Sequence, residues 1–297
     1  MKKFEERIAR IKKEIESVPI VSWEEIAEAE VRCELVEKHK ELLELLICVD
    51  KICRENGIGY SIAYGTLLGA LRHGEFIPWD DDADVMMTRA EFEKFKKVVK
   101  GDEACKLFKV LFTDRFATKE SFEKDCFIDI FVFDPAPASE FKRFTMNMVS
   151  RMFRFGFFSS VTYQERIKKK RGLGRFLFAM EYYFCRAIGR LEKAIWGSKM
   201  ISMHEKMITG NYKKSSEYAL SHTGTWQDVS RTYRMEWFEN LTEMNLCGYS
   251  FLAIANPEDF LINRYGNYKS VPEPEARVPL HDLGIEARED WQIVFDL

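Results

Sequence analysis

The chain has 297 residues, 46% of them hydrophobic and 31% charged, with a formal net charge of −3 at pH 7. This describes a soluble globular chain able to bury a sizeable core, in one large domain or two modest ones. The near balance of charge gives no global argument for nucleic acid as a partner. No run of about 18 apolar residues occurs, so no transmembrane helix is expected. The seven cysteines are scattered without a CxxC pair, which supports neither a disulfide framework nor a zinc knuckle. The charged N-terminus, MKKFEERIARIKKEIE, has no apolar segment of the signal-peptide kind, and the expected compartment is the reducing cytoplasm.

Residues 2–18 predict an amphipathic helix with Phe4, Ile8, Ile11 and Ile15 on one face. Ser22, followed by Glu24 and Glu25, opens a long second helix. Its apolar positions Ala27, Val31, Leu35, Leu42, Leu46, Val49 and Cys53 recur at three- and four-residue steps or their sum, and Asn56-Gly57 ends it. It reads as a packing helix without chemistry. Ile58–Ala63 suggests a strand feeding a turn, and Thr66–Leu71 one or two helical turns. A strand of about five residues ends at Thr88, which caps the helix RAEFEKFKKVVK, with Gly101 as its stop. Lys106–Phe112 predicts a strand. Cys126–Phe133 (CFIDIFVF) is the most strand-like run in the chain, and Asp134-Pro135-Ala136-Pro137 is expected to end it.

From Lys142 to Lys193 the character changes, with thirteen Lys and Arg against three Glu, a local net of +10, interleaved with many Phe and Tyr. Three readings stand: a surface resting on a membrane interface or lipid-linked substrate, an ordinary helical insert with solvated cations, and a polyanion patch. Beyond it, Ser198–Thr209 predicts a helix, residues 217–250 (Met235–Leu241 included) short strands, and Asn256-Pro257-Glu258-Asp259 the start of a helix that Gly266 ends. The expected organisation is N-terminal helices over 1–57, a catalytic core over 58–140, a basic aromatic helical insertion over 141–210, and a C-terminal part over 211–297 that completes the catalytic domain.

The stretch Tyr64–Met87 (YGTLLGALRHGEFIPWDDDADVMM) carries the chemistry. Side chains alternate along a strand, so Asp82 and Asp84 share a face about 7 Å apart. Paired carboxylates suit hard cations such as Mg²⁺ or Mn²⁺, and a bound divalent cation relieves their mutual repulsion. Asp129, the one charge in CFIDIFVF, is the natural third ligand, because a charge in so apolar a strand is costly unless it is paired or ligating. The alternatives for Asp129 are a pair with a buried Arg or a backbone cap. An EF-hand is excluded, since Val85 stands where its loop needs a glycine. Gly65-Thr66 before a short helix offers N–H groups and a hydroxyl to a phosphate. With the carboxylates, these are the parts needed for phosphoryl or nucleotidyl transfer. Arg72 and His73 are candidates for a second phosphate or the acceptor, His73 equally for pinning its loop. Trp79 is a candidate for stacking on a base or sugar, and equally for a structural role beside Pro78.

GTLLGALRHGEFIPWDDDADVMMTRAEF, with IDIFVFD and LINRYGNYKSVPEPEARVPLH downstream, resembles the signature of the LicD family, which includes the fukutin-type transferases. The resemblance spans about residues 60–282. It implies an α+β, nucleotidyltransferase-like fold, a small mixed sheet flanked by helices. It also implies metal-dependent transfer of a phosphorylated alcohol (phosphocholine or a polyol phosphate) from a CDP-activated donor to a cell-surface glycan or its lipid-linked precursor. On this basis Asp82, Asp84 and Asp129 are the metal and catalytic carboxylates, and Gly65-Thr66 the phosphate turn. Arg277 and His281 match the family's basic tail, with donor phosphates as expected contacts. Two departures are Glu75, where a second glycine is usual, and Asn267, where Asp is common. The competing functions are a nucleotidyltransferase that leaves a nucleoside monophosphate on its acceptor, and an inactive membrane-associated scaffold. The expected place of action is the cytoplasm, peripheral to the inner face of the membrane, with membrane contact through residues 142–193 and no nucleic acid partner.

Overall fold

The computed structural model describes residues 2–20, 33–110, 113–157, 172–197, 199, 202–203, 206, 216–223, 231–272, 277, 279 and 294–296. The expectations for residues 21–32, for most of 198–209 and for His281 lie outside these residues. Helix α1 (Lys2–Glu14) turns Ile8 to the core, with Phe4 and Ile11 packed against it. Helix α2 (Cys33–Glu55) buries Leu35, Leu42, Leu46, Val49 and Cys53, the positions its spacing marks. It stops at Gly57, whose φ of 61° only glycine adopts without cost.

Strand β1 (Ser61–Ile62), helix α3 (Tyr64–His73), strand β2 (Ala83–Thr88) and helix α4 (Arg89–Lys100) follow. Thr88 caps α4 by accepting from the Glu91 N–H. Gly101 follows its last turn, the stop predicted there, with a right-handed φ of −83°. Strands β3 (Cys105–Val110) and β4 (Thr113–Thr118), helix α5 (Lys119–Glu123) and strand β5 (Ile128–Ala136) complete the central block. Helices α6 (Glu140–Phe157) and α7 (Gly172–Trp196) pack on each other. The remainder is β6 (Tyr218–Ser221), β7 (Tyr233–Arg234), β8 (Leu241–Leu246), β9 (Tyr249–Ile254), α8 (Pro257–Tyr265) and β10 (Val294–Asp296).

The fold is α+β, built on an eight-stranded mixed sheet in the order β1-β2-β5-β4-β3-β10, with β6 on β5 and β7 on β6. β2 and β5 run parallel, Ala83–Thr88 against Ile128–Phe133. The other pairings among the described residues are antiparallel. β5 does not end at Asp134-Pro135 as predicted. It continues to Ala136 against β6, beyond the end of β2, where the strand has lost one partner and a residue without an N–H is tolerated. Met235–Phe238 forms a single 3₁₀ turn rather than a strand. β8 and β9 make a separate hairpin whose Cys247-Gly248 turn has φ of 53° and 81°, the two-positive pattern that matches strand twist.

Candidate active site

Asp84 and Asp129 are register partners across the parallel β2–β5 ladder, so they stand side by side on one face. Asp82 precedes β2 by one residue and projects to the same side as Asp84. Each of the three offers an oxygen, and these atoms lie within 4.8 Å of one another. Asp84 and Asp129 are buried, and Asp82 is half-buried. The donor set is all hard oxygen, suited in chemistry and number to a Mg²⁺-sized cation.

The backbone that carries Asp84 is held on both sides. Its N–H donates to Thr66 Oγ1 at 2.9 Å, and its carbonyl accepts from the Ala63 N–H at 2.9 Å. Thr66 is itself buried in the first turn of α3. Asp129 is held from the other side by Arg115, its cross-strand partner on β4, whose Nε donates to Asp129 Oδ1 at 2.7 Å. The guanidinium also lies over the Phe127 ring, 3.8 Å from its centre. Asp129 therefore pairs with a buried Arg, one of the alternatives, and also lies within the carboxylate cluster.

Gly65 explains itself by what sits on it. A Cβ there would come within 2.2 Å of Asp80 Oδ2, so the missing side chain admits the Asp80 carboxylate to the first turn of α3. That is where helical N–H groups and the positive end of the helix dipole favour an anion, and where the sequence placed a phosphate. Gly69 is required for a different reason: a Cβ would stand 2.4 Å from the Glu75 backbone oxygen. The chain doubles back there through Gly74, at φ 75°, whose N–H donates to the Gly69 and Ala70 carbonyls. Tyr64, at φ 40°, holds a left-handed conformation that costs a non-glycine residue about 1–3 kcal/mol. Its ring is clamped edge-on by Phe131 and tilted against Phe260.

Arg72 and His73 occupy the last turn of α3, at the opposite end from Gly65-Thr66. Arg72 is buried, its charge faces Tyr265 and Asp80, and burial lowers its pKa. Its Nε has no hydrogen-bond partner among the described residues. His73 donates from Nε2 to the Phe76 carbonyl at 3.2 Å, closing the corner, and burial lowers its pKa. Trp79 is half-buried, and the Arg277 guanidinium lies 5.6 Å from its ring centre while Arg277 Nε donates to the Pro272 carbonyl at 2.8 Å. The tail is thus brought back to the acidic loop. Glu75 is exposed and meets the Cys247 thiol, which burial foremost pushes up to about 12. The Asn267 side chain closes a local turn by accepting from the Lys269 N–H.

Two residues at the site escaped the sequence reading. Arg115 lies in TDRFAT, a strand that was not predicted because it begins with a Thr-Asp-Arg run of exposed appearance. His39 lies on α2, with Nε2 donating to the Asp80 carbonyl at 2.7 Å and its ring stacked on Phe76 at 5.0 Å. A carbonyl only accepts, so the neutral ring carries its proton on Nε2. Burial is the largest influence on His39 and lowers its pKa against the opposing pull of Asp81 and Glu75. A signal did exist. His39 fills the step between Leu35 and Leu42 on the apolar face of α2, where a polar residue needs a partner. A cavity of about 240 Å³ at the other end of β2, beside Thr88 and Glu91, includes none of these residues.

Three clustered carboxylates on and just before adjacent parallel strands of a mixed sheet, beside a helix opening on Gly-Thr, are what a nucleotidyltransferase-like fold is expected to present. Comparison with known proteins agrees: the profile of the LicD/FKTN/FKRP nucleotidyltransferase domain matches residues 57–161. The chain is similar to a LicD-type domain over these residues. It is 27% identical over 264 residues to the lipopolysaccharide cholinephosphotransferase LicD of Haemophilus influenzae, covering 80% of this chain and 92% of that protein.

Proposed function

We propose that the protein is a LicD-like phosphotransferase that moves a phosphorylated alcohol, phosphocholine-like or a polyol phosphate, from a CDP-activated donor to a cell-surface glycan or its lipid-linked precursor. The observation that carries the reading is the cluster of Asp82, Asp84 and Asp129, with oxygens within 4.8 Å of one another. These three would hold Mg²⁺ or Mn²⁺, which when bound supplies a Lewis acid that neutralises charge on phosphate oxygens. The protein's own contribution is positional. Thr66 and Ala63 fix the Asp84 backbone, and Arg115 orients the Asp129 carboxylate. Asp80 occupies the N-terminus of α3 in this structure, so a donor phosphate bound there would displace its carboxylate. Arg277 and Trp79 form a cationic and aromatic edge suited to a nucleotide. The acceptor class rests on the name of the Haemophilus relative, which is a lipopolysaccharide cholinephosphotransferase.

The test is to incubate the purified protein with Mg²⁺ and a panel of CDP-alcohols and to follow CMP release and acceptor mass. CMP release, with the acceptor gaining the phosphorylated alcohol, is the expected result, abolished in Asp82→Ala and Asp84→Ala variants that keep a wild-type circular dichroism spectrum. An acceptor that gains a nucleotide would instead identify a nucleotidyltransferase. Turnover undiminished in either variant would overturn the carboxylate assignment.

A further inference from the structure

Helices α6 and α7 pack on each other, and α6 is tied to the body of the protein. On α6, Arg143 donates to the Pro137 and Ala138 carbonyls and lies over the Tyr218 ring, while Ser150 meets His222 Nδ1 at 3.1 Å. On α7, Tyr182 is buried and accepts from Arg186 at 2.6 Å. The outer side differs in kind. Leu173, Phe176, Met180, Phe184, Leu191 and Ile195 recur at three- and four-residue steps or their sum and are 55–73% exposed. Residues at this spacing share one helical face, so the stripe runs the full 25 residues of α7, roughly 37 Å. Phe141 and Phe144 on α6 are exposed as well. An apolar face of this extent is far beyond the scattered exposed residues normal for a soluble surface.

We propose that this stripe lies in the interface of an anionic lipid bilayer, parallel to the membrane plane. No helix among the described residues is long and apolar enough to cross a membrane, so the helix rests on the surface. Charge selects the occupant. The segment 142–193 carries a local net of +10 in the sequence, and on α7 Arg190 is exposed about a quarter turn round the helix from the stripe, with exposed Arg175 farther round. A second copy docked stripe to stripe would bring together two segments of like net charge, whereas an anionic leaflet takes the apolar side chains into its acyl boundary and attracts cations to its headgroups. A nucleic acid would meet the charge but not the apolar centre. The contact expected of residues 142–193, basic and aromatic together, is in this proposal centred on the apolar face of α7. The inference rests on the exposed stripe and its charge, and is independent of the proposed transfer chemistry.

The test is flotation of the full chain with vesicles of phosphatidylcholine containing about a quarter phosphatidylglycerol, and with phosphatidylcholine alone. The protein is expected to float with the anionic vesicles at low salt, less so as salt rises. The triple variant Phe176→Glu/Met180→Glu/Phe184→Glu, whose changes are all at exposed positions, is expected to lose at least about tenfold in binding while keeping its melting temperature. Arg175→Glu/Arg190→Glu, which leaves the stripe intact, should weaken binding to the anionic vesicles specifically. Failure of the wild-type chain to float at low salt, or undiminished flotation of the triple variant, would overturn the proposal. So would sedimentation showing a dimer that the triple variant disperses, without vesicle binding.

Discussion

Arg115 and Asp129 meet across the β4–β5 ladder with both side chains under a tenth exposed. Removing one member of a buried pair leaves the other charge without compensation, at a cost of about 3–5 kcal/mol. Arg115→Gln is therefore expected to lower the unfolding free energy from urea denaturation in metal-free buffer by that much, and a loss under about 1 kcal/mol would show that the pair is not needed to hold Asp129. Gly65 and Asp80 make a second pair of coupled residues. Gly65→Ala drives a Cβ into the Asp80 carboxylate, an overpacking worth about 1–3 kcal/mol, and Asp80→Gly should relieve most of it. A double-mutant cycle by chemical denaturation reads the coupling, and strict additivity would refute the contact. Gly69→Ala admits no such rescue, because the atom it strikes is the Glu75 backbone oxygen.

Among the elements, those whose logic is local were legible in the sequence. The Thr88 cap of α4, the apolar face of α2 and the strand ending at Thr88 follow from residue types within one turn or one alternation. The same alternation put Asp82 and Asp84 on one face. What was not legible depends on partners distant in the chain. β4 carries Asp114 and Arg115, both buried, and charges buried by pairing with Lys109 and Asp129 look the same in sequence as charges left in water. β5 runs through Pro135 because β6, far along the chain, takes it up. The side-by-side register of Asp84 and Asp129 is a property of the sheet, visible only once β2 and β5 are known to be neighbours. His39 belongs to both classes, since its position was readable and its partner, the Asp80 carbonyl, was not.

Over the whole molecule, the acidic loop is bound to distant parts of the fold: to α2 through His39, to the tail through Trp79 and Arg277, and, by way of Gly74, to the β8–β9 hairpin through the Cys247 N–H at 2.7 Å. The His39 link carries a pH signature. Burial depresses its folded-state pKa, so as pH falls below about 6.5 the unfolded chain takes up a proton that the folded protein does not. Stability contributed by the neutral ring is then lost on the acid side. His39→Gln, which keeps an amide donor for the Asp80 carbonyl, should show a shallower fall of the urea midpoint from about pH 7 to about pH 5; an identical slope would exclude His39 as a contributor. The central claim is that Asp82, Asp84 and Asp129 form one divalent-cation site, and it can be tested without knowing donor or acceptor. Titrating the protein with Mn²⁺ by electron paramagnetic resonance measures it directly. The account predicts saturable binding of Mn²⁺ by the wild-type chain that falls at least about tenfold in each of Asp82→Asn, Asp84→Asn and Asp129→Asn; binding unchanged in all three folded variants would contradict it.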